Sequence, residues 1–469
     1  MVVLLGKIKH GGSILTLHAG QRQVISDLHR FKTVVAGRRW GKCLAKGTRI
    51  TMADGTVENV ENVKAGSYVL TLNENTYVIE PKIVEHLHDN GIKETLLIKT
   101  AGRTLRCTPN HPLLVNNIWT EAQYIKQGDL VAVPKRTAVF GKLRQSDYKV
   151  DYLAIWLAEG NKYCVSNTTP EILDILQNSV NKFGLKLVAK GKKNIDWFVT
   201  SGCGAKIANT ARLFIDSLNL WECNSKTKFV PDWVYNLPED QLARFLNLFV
   251  ACDGSINLRS KNTHAVEIGL ANEKLVRQIA ELFLKFGIRG QISHKIHKSA
   301  DKNGKNYESW RFIFSDPSAL IIFADKIGAI SKENQINSAK QTALKSGGNS
   351  NDYLPISHDD FINHLNYVPK ITDKFGGYNY KVARDLPEDL RQNLTSWRKQ
   401  TPTRISVKRY DSLKTYSDDF YSPIADGEIA WEEVKIVEKA DKIQTYDLTI
   451  DDNHNFFADG ICTHNTQCA

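Results

Sequence analysis

Tyr446-Asp447-Leu448, Asn453-His454-Asn455-Phe456 and Gly460-Ile461-Cys462-Thr463-His464-Asn465-Thr466 follow one another near the C-terminal end of the chain. An asparagine can cut its own peptide bond when its side-chain amide nitrogen attacks its main-chain carbonyl and closes a succinimide, provided an imidazole manages the protons. His464 stands directly before Asn465, and Thr466 directly after it carries a hydroxyl able to accept an acyl group. By itself His-Asn-Thr also reads as a polar turn. As a junction it requires a thiol far upstream.

Cys43 supplies that thiol at the head of Cys43-Leu44-Ala45-Lys46-Gly47-Thr48, and Gly102-Arg103-Thr104-Leu105-Arg106-Cys107-Thr108-Pro109-Asn110-His111-Pro112 lies between the two. Together the three tracts resemble the first block, the Thr-x-x-His block and the terminal blocks of an intein, a self-splicing protein of the Hint superfamily. The resemblance implies that residues 43–465 excise themselves and join Lys42 to Thr466. In that scheme Cys43 Sγ attacks the Lys42 carbonyl, Thr108 orients or polarises the scissile amide, and His111 protonates the departing nitrogen. Thr466 Oγ then takes the acyl group, with Asp447 assisting at Cys43 or at Thr466. Asn465 cyclises with His464 and His454 as proton partners. Splicing of this kind is intramolecular, needs no cofactor and is expected of a monomer.

The chain has 469 residues, a net charge of +11 and eight cysteines. That length gives room for several domains. The charge would suggest nucleic acid, but residues 1–42 carry eight Lys/Arg and one acid, so +7 sits in the leader and +4 in all that follows. Local clusters, not bulk charge, must therefore carry any argument for DNA. The cysteines show no paired metal-ligand spacing, which favours thiols in a reducing, cytoplasmic compartment; a phage or prokaryotic source is what the family resemblances imply. No run approaches the ~20 apolar residues of a membrane span, and Val2-Val3-Leu4-Leu5 is too short for a secretory core. Cys107 and Cys462 read equally as small buried hydrophobes or as redox modulators.

In the leader, residues 1–42, a helix-like Gln23–Phe31 precedes a short apolar strand Thr33-Val34-Val35, then Ala36-Gly37-Arg38-Arg39-Trp40-Gly41-Lys42. Strand, Gly-containing loop and Lys begin a phosphate cradle, but Cys43 replaces the hydroxyl that should follow. Excision sets Thr466 beside Lys42 and mends the loop. Gly41, Lys42 and Thr466 would then hold nucleotide phosphates, with ATP and Mg²⁺ belonging only to the spliced host. The mended loop resembles the Walker A of phage terminase large subunits, and Gln21 their adenine contact. The leader is thus expected to be a short α/β P-loop fragment, with 466–469 its continuation.

Residues 43–140 and 426–465 alternate short apolar runs with Gly, Asp and Asn, which predicts one all-β unit split by an insertion. The Hint resemblance makes it a β horseshoe with both junctions at its centre. Within the insertion, Tyr152–Gly160 and Leu242–Gly254 are apolar nearly all round and end in Glu159-Gly160 and Asp253-Gly254. These helices should be buried against each other with both carboxylates at one end. Each is followed by a second helix ending at Phe183-Gly184-Leu185 or Phe286-Gly287-Ile288, then Lys-rich strands and a Trp-bearing strand (Trp197, Trp310). That is an internal repeat of about 100 residues.

The repeat, with Lys228-Phe229-Val230-Pro231, resembles a LAGLIDADG homing endonuclease of two pseudo-symmetric α+β halves over 141–340. The resemblance implies double-stranded DNA as partner, the intein-free allele of the host gene, with Glu159 and Asp253 as Mg²⁺ ligands and Lys295 as a catalytic lysine. Lys182, Lys186, Lys190, Lys192 and Lys193, and then Arg289, Lys295, Lys298, Lys302, Lys305 and Arg311, would meet phosphates. Residues 341–425, with Arg391, Arg398, Lys399, Arg404, Lys408 and Arg409, read as an accessory region extending that surface, or as a linker. A DNA-cutting chain with a vestigial or cleavage-only Hint domain is the other reading.

Overall fold

The computed structural model describes residues 2–4, 7–10, 13–16, 42–191, 195–201, 208–260, 263–297, 306–345, 353–356, 361, 388, 405–416 and 421–465. They fall into two units, Met1–Gly41 with Gln467–Ala469, and Lys42–Thr466. In the first, β1 (Val2–Leu4), β2 (Lys7–His10) and β3 (Ser13–Thr16) pair as an antiparallel meander. The expected helix 23–31, strand 33–35 and loop 36–41 lie outside the described residues.

The second unit opens with β4 (Leu44–Ala45), β5 (Arg49–Thr51), β6 (Val57–Asn59), β7 (Tyr68–Leu72) and the long β8 (Ile79–Lys99). β9 (Thr104–Cys107), β10 (Pro112–Val115), β11 (Ile118–Glu121) and β12 (Leu130–Pro134) follow. The chain returns to this part only at β21 (Ile429–Glu433), β22 (Ile436–Ile450), β23 (Asn455–Ala458) and β24 (Ile461–His464). One sheet runs β21-β12-β10-β24-β23-β5-β6 with β11 on β10, the other β22-β4-β9-β8-β7. Both sheets mix strands from before and after the insertion. Alternating apolar positions such as Leu105 and Cys107 of β9 point inward, and Leu44, Ile50, Leu113, Leu448 and Phe456 meet there in one core. The two ends of 43–465 are therefore neighbours because the sheets cannot form otherwise.

The insertion has two halves of one topology. In the first, α1 (Asp147–Glu159) leads through β13 (Gly160–Asn161) and β14 (Cys164–Ser166) to α2 (Pro170–Lys182), β15 (Lys186–Lys190), β16 (Asp196–Thr200) and α3 (Thr210–Ser217). In the second, α4 (Glu239–Asp253) leads through β17 (Gly254–Ser260) and β18 (Thr263–Leu270) to α5 (Glu273–Lys285), β19 (Gln291–His297), β20 (Tyr307–Phe314) and α6 (Pro317–Ile322), with α7 (Glu333–Lys345) beyond. The sheet orders, β13-β14-β16-β15 and β17-β18-β20-β19, are the same. Both second helices stop on a left-handed glycine. Leu185 N–H returns to Val180 O and Gly184 N–H to Asn181 O, as Ile288 does to Phe283 and Gly287 to Leu284.

Helices α1 and α4 lie side by side in the same direction. Gln241 Nε2 donates to Asp147 Oδ1 at 2.6 Å near their starts, and Arg244 Nη2 to Asp151 Oδ2 at 2.7 Å one turn on. Their buried faces join Tyr152, Trp156, Phe245 and Phe249 in a core distinct from that of the β part. The last helix of the insertion runs past 340 to Lys345. Of 346–425, the described residues Leu354, Phe361, Ile405, Tyr410, Leu413 and Ile424 share a core with Leu72, Trp431, Phe457 and Cys462. That part of the accessory region buttresses the β domain. Arg391, Arg398, Lys399 and Arg404 lie outside the described residues. No described helix is long and apolar enough to cross a membrane.

Candidate functional site

At the first junction β4 is sandwiched between β22 and β9, with Leu44 opposite both Tyr446 and Cys107. Cys43 consequently faces Thr108. Cys43 N–H donates to Thr108 Oγ1 at 2.9 Å, and Thr108 N–H donates to Cys43 O at 2.9 Å. Cys43 is fully buried, and Lys93 of β8 donates from Nζ to its Sγ at 3.2 Å. Burial pushes the thiol up most strongly; Lys93 opposes this, the Asp447 charge adds to it, and a bond with Thr445 opposes it again. Asp447, itself buried, accepts Leu448 N–H at 2.9 Å, and its charge reaches both Lys42 and Cys43. Asp447 thus reaches the residues of the first junction; Gly41 and Thr466 lie outside the described residues.

His111 is fully buried, and neither ring nitrogen has a hydrogen-bond partner among the described residues. Burial, the Lys42 charge and His464 bring its pKa down to about 3. Leu113 pairs with Thr463, so His111, just ahead of β10, abuts the end of β24. There the His464 Nδ1–H donates to the Asn465 carbonyl oxygen, and the edge of the Trp119 ring meets the imidazole at 4.9 Å between centroids. Burial brings His464 down to about 4, its bond to Asn465 opposing, with Lys42 and His454 adding to the drop.

Asn465 is also buried. Its N–H donates to His454 O at 2.8 Å and its Nδ2 to Ile450 O at 3.1 Å, while His454 Nδ1 meets the same Ile450 oxygen at 3.1 Å. Its Oδ1 has no partner among the described residues. His454 adopts φ +51°, which turns its carbonyl onto Asn465. Lys42 acts on both His111 and His464, and His464 acts on His111. The two junctions therefore share one cluster of groups. Cys107 sits across from Leu44, so strand alternation turns it away from Cys43; it and Cys462 are fully buried with thiols pushed up by burial. Both behave as small core residues.

A second cluster lies where α1 and α4 end. Burial and the Glu159 charge push Asp253 up to about 7; burial raises Glu159 too, against an Asn167 Nδ2 bond of 2.6 Å. Lys228 Nζ donates to the carbonyls of Trp156 (2.8 Å), Leu157 (3.0 Å) and Gly160 (2.6 Å). Lys332 Nζ does the same for Val250 (2.8 Å), Ala251 (2.7 Å) and Gly254. Each cation caps a helix C-terminus whose dipole would otherwise repel the terminal carboxylate. Lys295 was the expected catalytic lysine, but it stands exposed on β19 opposite Ser309. The lysines whose charges reach both acids are Lys228 and Lys332.

Among the described residues no group of three or more His, Cys, Asp or Glu is placed to hold a metal, so the site offers a cation two carboxylates. Lys186 and Lys190 occupy the exposed face of β15, and Arg311 is paired with Glu267 at 2.7 Å. Lys192, Lys193, Lys298, Lys302 and Lys305 lie outside the described residues. Neither Lys93 nor Lys332 is marked by a sequence signal of its own. Lys93 has no motif around it; the match of Lys332 to Lys228 is visible only through the repeat.

A family model described as an intein splicing domain matches residues 50–465. The replicative DNA helicase DnaB of Rhodothermus marinus is 24% identical over 485 residues, covering 99% of this chain and 49% of that protein. The replication factor C small subunit of Methanocaldococcus jannaschii is 27% identical over 383 residues, covering 74% and 19%. The chain spans about half the length of the three DnaB relatives it matches. Of solved structures, the G-1F mutant of the Ssp DnaB mini-intein variant M86 is 8% identical with a TM-score of 0.28, covering 91% of this chain and 99% of that one. A bacterial intein-like domain from Clostridium thermocellum is 30% identical with a TM-score of 0.19, covering 19% and 65%. At those scores the structural likenesses carry no argument of their own.

Proposed function

The chain belongs to the intein splicing domain family, and on that premise we propose that residues 43–465 excise themselves and leave Lys42 joined to Thr466. The observation that carries this reading is the shared cluster, with the Cys43 amide held by Thr108 and the Asn465 carbonyl held by His464 on either side of His111. Cys43 Sγ attacks the Lys42 carbonyl, and the C–N pair stays on the Cys43 nitrogen. His111, neutral at physiological pH, gives that nitrogen a proton and is restored by the one that Sγ–H releases, so the imidazole ends as it began. Thr466 Oγ takes the acyl group from sulfur. Asn465 Nδ2, directed by Ile450 O, attacks its own carbonyl, which the His464 N–H polarises; the bond from that carbonyl to the Thr466 nitrogen breaks, its electron pair stays on nitrogen, and the nitrogen takes up the proton that Nδ2 gives up. The freed ester then rearranges to the Lys42–Thr466 amide. Reactants fixed in one fold gain effective molarities of about 10⁵–10⁸ M, so no cofactor is needed.

Two variants of the full chain test the assignment. Cys43→Ala should abolish joining yet still release residues 466–469 through Asn465. Asn465→Ala should retain the thioester and shed residues 1–42 on addition of a small thiol. Loss of both cleavages in both variants would refute independent chemistry at the two junctions.

For the insertion the reading is site-specific cleavage of double-stranded DNA. What supports it is the pair of parallel helices bringing Glu159 and Asp253 to one place, each beside a capping lysine. Two desolvated carboxylates that resist joint ionisation suit a hard divalent cation such as Mg²⁺, for which Glu159 and Asp253 would be the protein ligands. When bound, such an ion lowers the barrier to water attack on a phosphodiester. The target would be the host gene without the inserted segment, cut at the Lys42–Thr466 codons. The host reading is a terminase-like ATPase whose phosphate loop is restored by joining Gly41-Lys42 to Thr466. Magnesium-dependent cutting of that joined gene, lost in Glu159→Gln and in Asp253→Asn, is expected; cutting that survives both changes would remove the acids from the reaction.

A further inference from the structure

The groups that face Cys43 Sγ come from three directions. Asp447 and Thr445 stand on β22, Lys93 on β8, and Lys42 adjoins in sequence; His111 and Thr108 attend the amide side. Of these, Lys93 is the one whose charge favours a sulfur anion at hydrogen-bond range. Its Nζ lies 3.2 Å from Sγ. Three features fix it there. Its strand carries a left-handed Gly91 (φ +73°), whose N–H donates to Asp89 Oδ1 at 3.0 Å and whose carbonyl accepts Thr445 Oγ1 at 2.8 Å. The register of β8 against β22 shifts on both sides of this point, and Lys93 then pairs with Ile443. The bulge brings a half-buried lysine in beside a thiol that is otherwise shut away from water.

Burial without compensation would leave Cys43 a thiol, and a thiol is a poor nucleophile. Asp447 is the carboxylate whose charge reaches Cys43 and that can accept the proton, but its charge holds the thiol protonated until it does so. We propose that Lys93 is a catalytic residue of the first step, its ammonium stabilising the Cys43 thiolate as that sulfur attacks the Lys42 carbonyl. This rests on the splicing reading. The Sγ–H proton passes to the Asp447 carboxylate and the sulfur lone pair forms the S–C bond. The C–N pair stays on the Cys43 nitrogen, which takes a proton from His111, and His111 is reprotonated as Asp447 gives up the one it took from sulfur, so both end as they began. One proton thus moves net from sulfur to nitrogen, and Lys93 keeps all three of its own.

The test uses the full chain with a small thiol in excess, following release of residues 1–42 and of residues 466–469 by intact mass from pH 6 to 9. Lys93→Gln should slow the first release by about tenfold at neutral pH and move its pH profile upward by about one unit, since an adjacent charge is worth about one to three units. Lys93→Arg, which keeps the charge, should restore most of the rate. Release of residues 466–469 should be unchanged, because Asn465 depends on other elements. An unshifted profile in Lys93→Gln, or equal slowing at both junctions, would overturn the role of Lys93. Failure of the unaltered chain to cleave at either junction would instead sink the splicing reading, and this inference with it.

Discussion

One fully buried and one half-buried imidazole would set the chemistry at the level of single residues. His111 and His464 are held at about 3 and about 4 by burial and by the Lys42 charge, so both are neutral at physiological pH. A histidine whose folded pKa lies below its unfolded value stabilises the fold less as pH falls from the unfolded value toward the folded one. Its neutral form, which donates to Asn465, persists until the pH passes through the folded value. Cleavage after Asn465 should therefore hold a plateau from pH 8 to about pH 5 and decline near pH 4; a midpoint at the ordinary 6.5 in the rate profile would contradict the placement of His464. Thr108→Val, which keeps shape but removes the acceptor of Cys43 N–H, should slow thiol-induced release of residues 1–42 by about tenfold or more and spare release of 466–469. At this scale the sequence was informative where chemistry demands a fixed residue type beside a junction. Cys43, Thr108, His111, His464 and Asn465 all carry such a demand. Lys93 and Lys332 do not: any strand lysine looks alike until pairing shows what lies opposite. Lys295 illustrates the converse, a lysine in a basic stretch that strand register leaves facing solvent.

Strand β8 shows how an element can hide from its own residues. The strand runs on through Asp89-Asn90-Gly91 as a bulge, because β22 supplies a continuous partner from a distant part of the chain. A Cβ at Gly91 would meet nothing within 4 Å, so Gly91→Ala bears only the cost of φ +73°, about 1 kcal/mol. Denaturant unfolding should report that loss, and thioester formation should slow with it, since the bulge aims Lys93. The repeat, by contrast, was legible because buried helices are apolar on every side and because both Phe-Gly pairs mark a left-handed helix end. At the foot of α1 and α4, Asp253 is pushed up to about 7 from its ordinary 3.8, so it binds its proton more tightly folded than unfolded. That stabilisation is complete at low pH and is lost as pH rises through 7. Asp253→Asn should accordingly melt higher than the parent chain, by a margin that widens from pH 5 to pH 8 and narrows when Mg²⁺ is added to the parent. A margin independent of pH would show that neither burial nor Glu159 holds Asp253 protonated.

Across the whole molecule, the splitting of one β domain around a long insertion follows from sheets that interleave β4–β12 with β21–β24. Apolar alternation made the two β segments readable, but not their order in the sheets, which depends on partners hundreds of residues apart. Nor did composition disclose that part of 346–425 packs on the β domain, since Leu354, Phe361 and Tyr410 are scattered among polar residues. In the proposed reaction both junctions work through His111, which the Lys42 charge and His464 reach from the two sides, and that convergence is the claim on which the rest depends. Intact-mass analysis of the freshly expressed full chain tests it most directly. The account predicts a species of residues 43–465 ending in a succinimide and a second in which residues 1–42 are joined to 466–469. The full-length chain alone, persisting under reducing conditions at neutral pH, would contradict it.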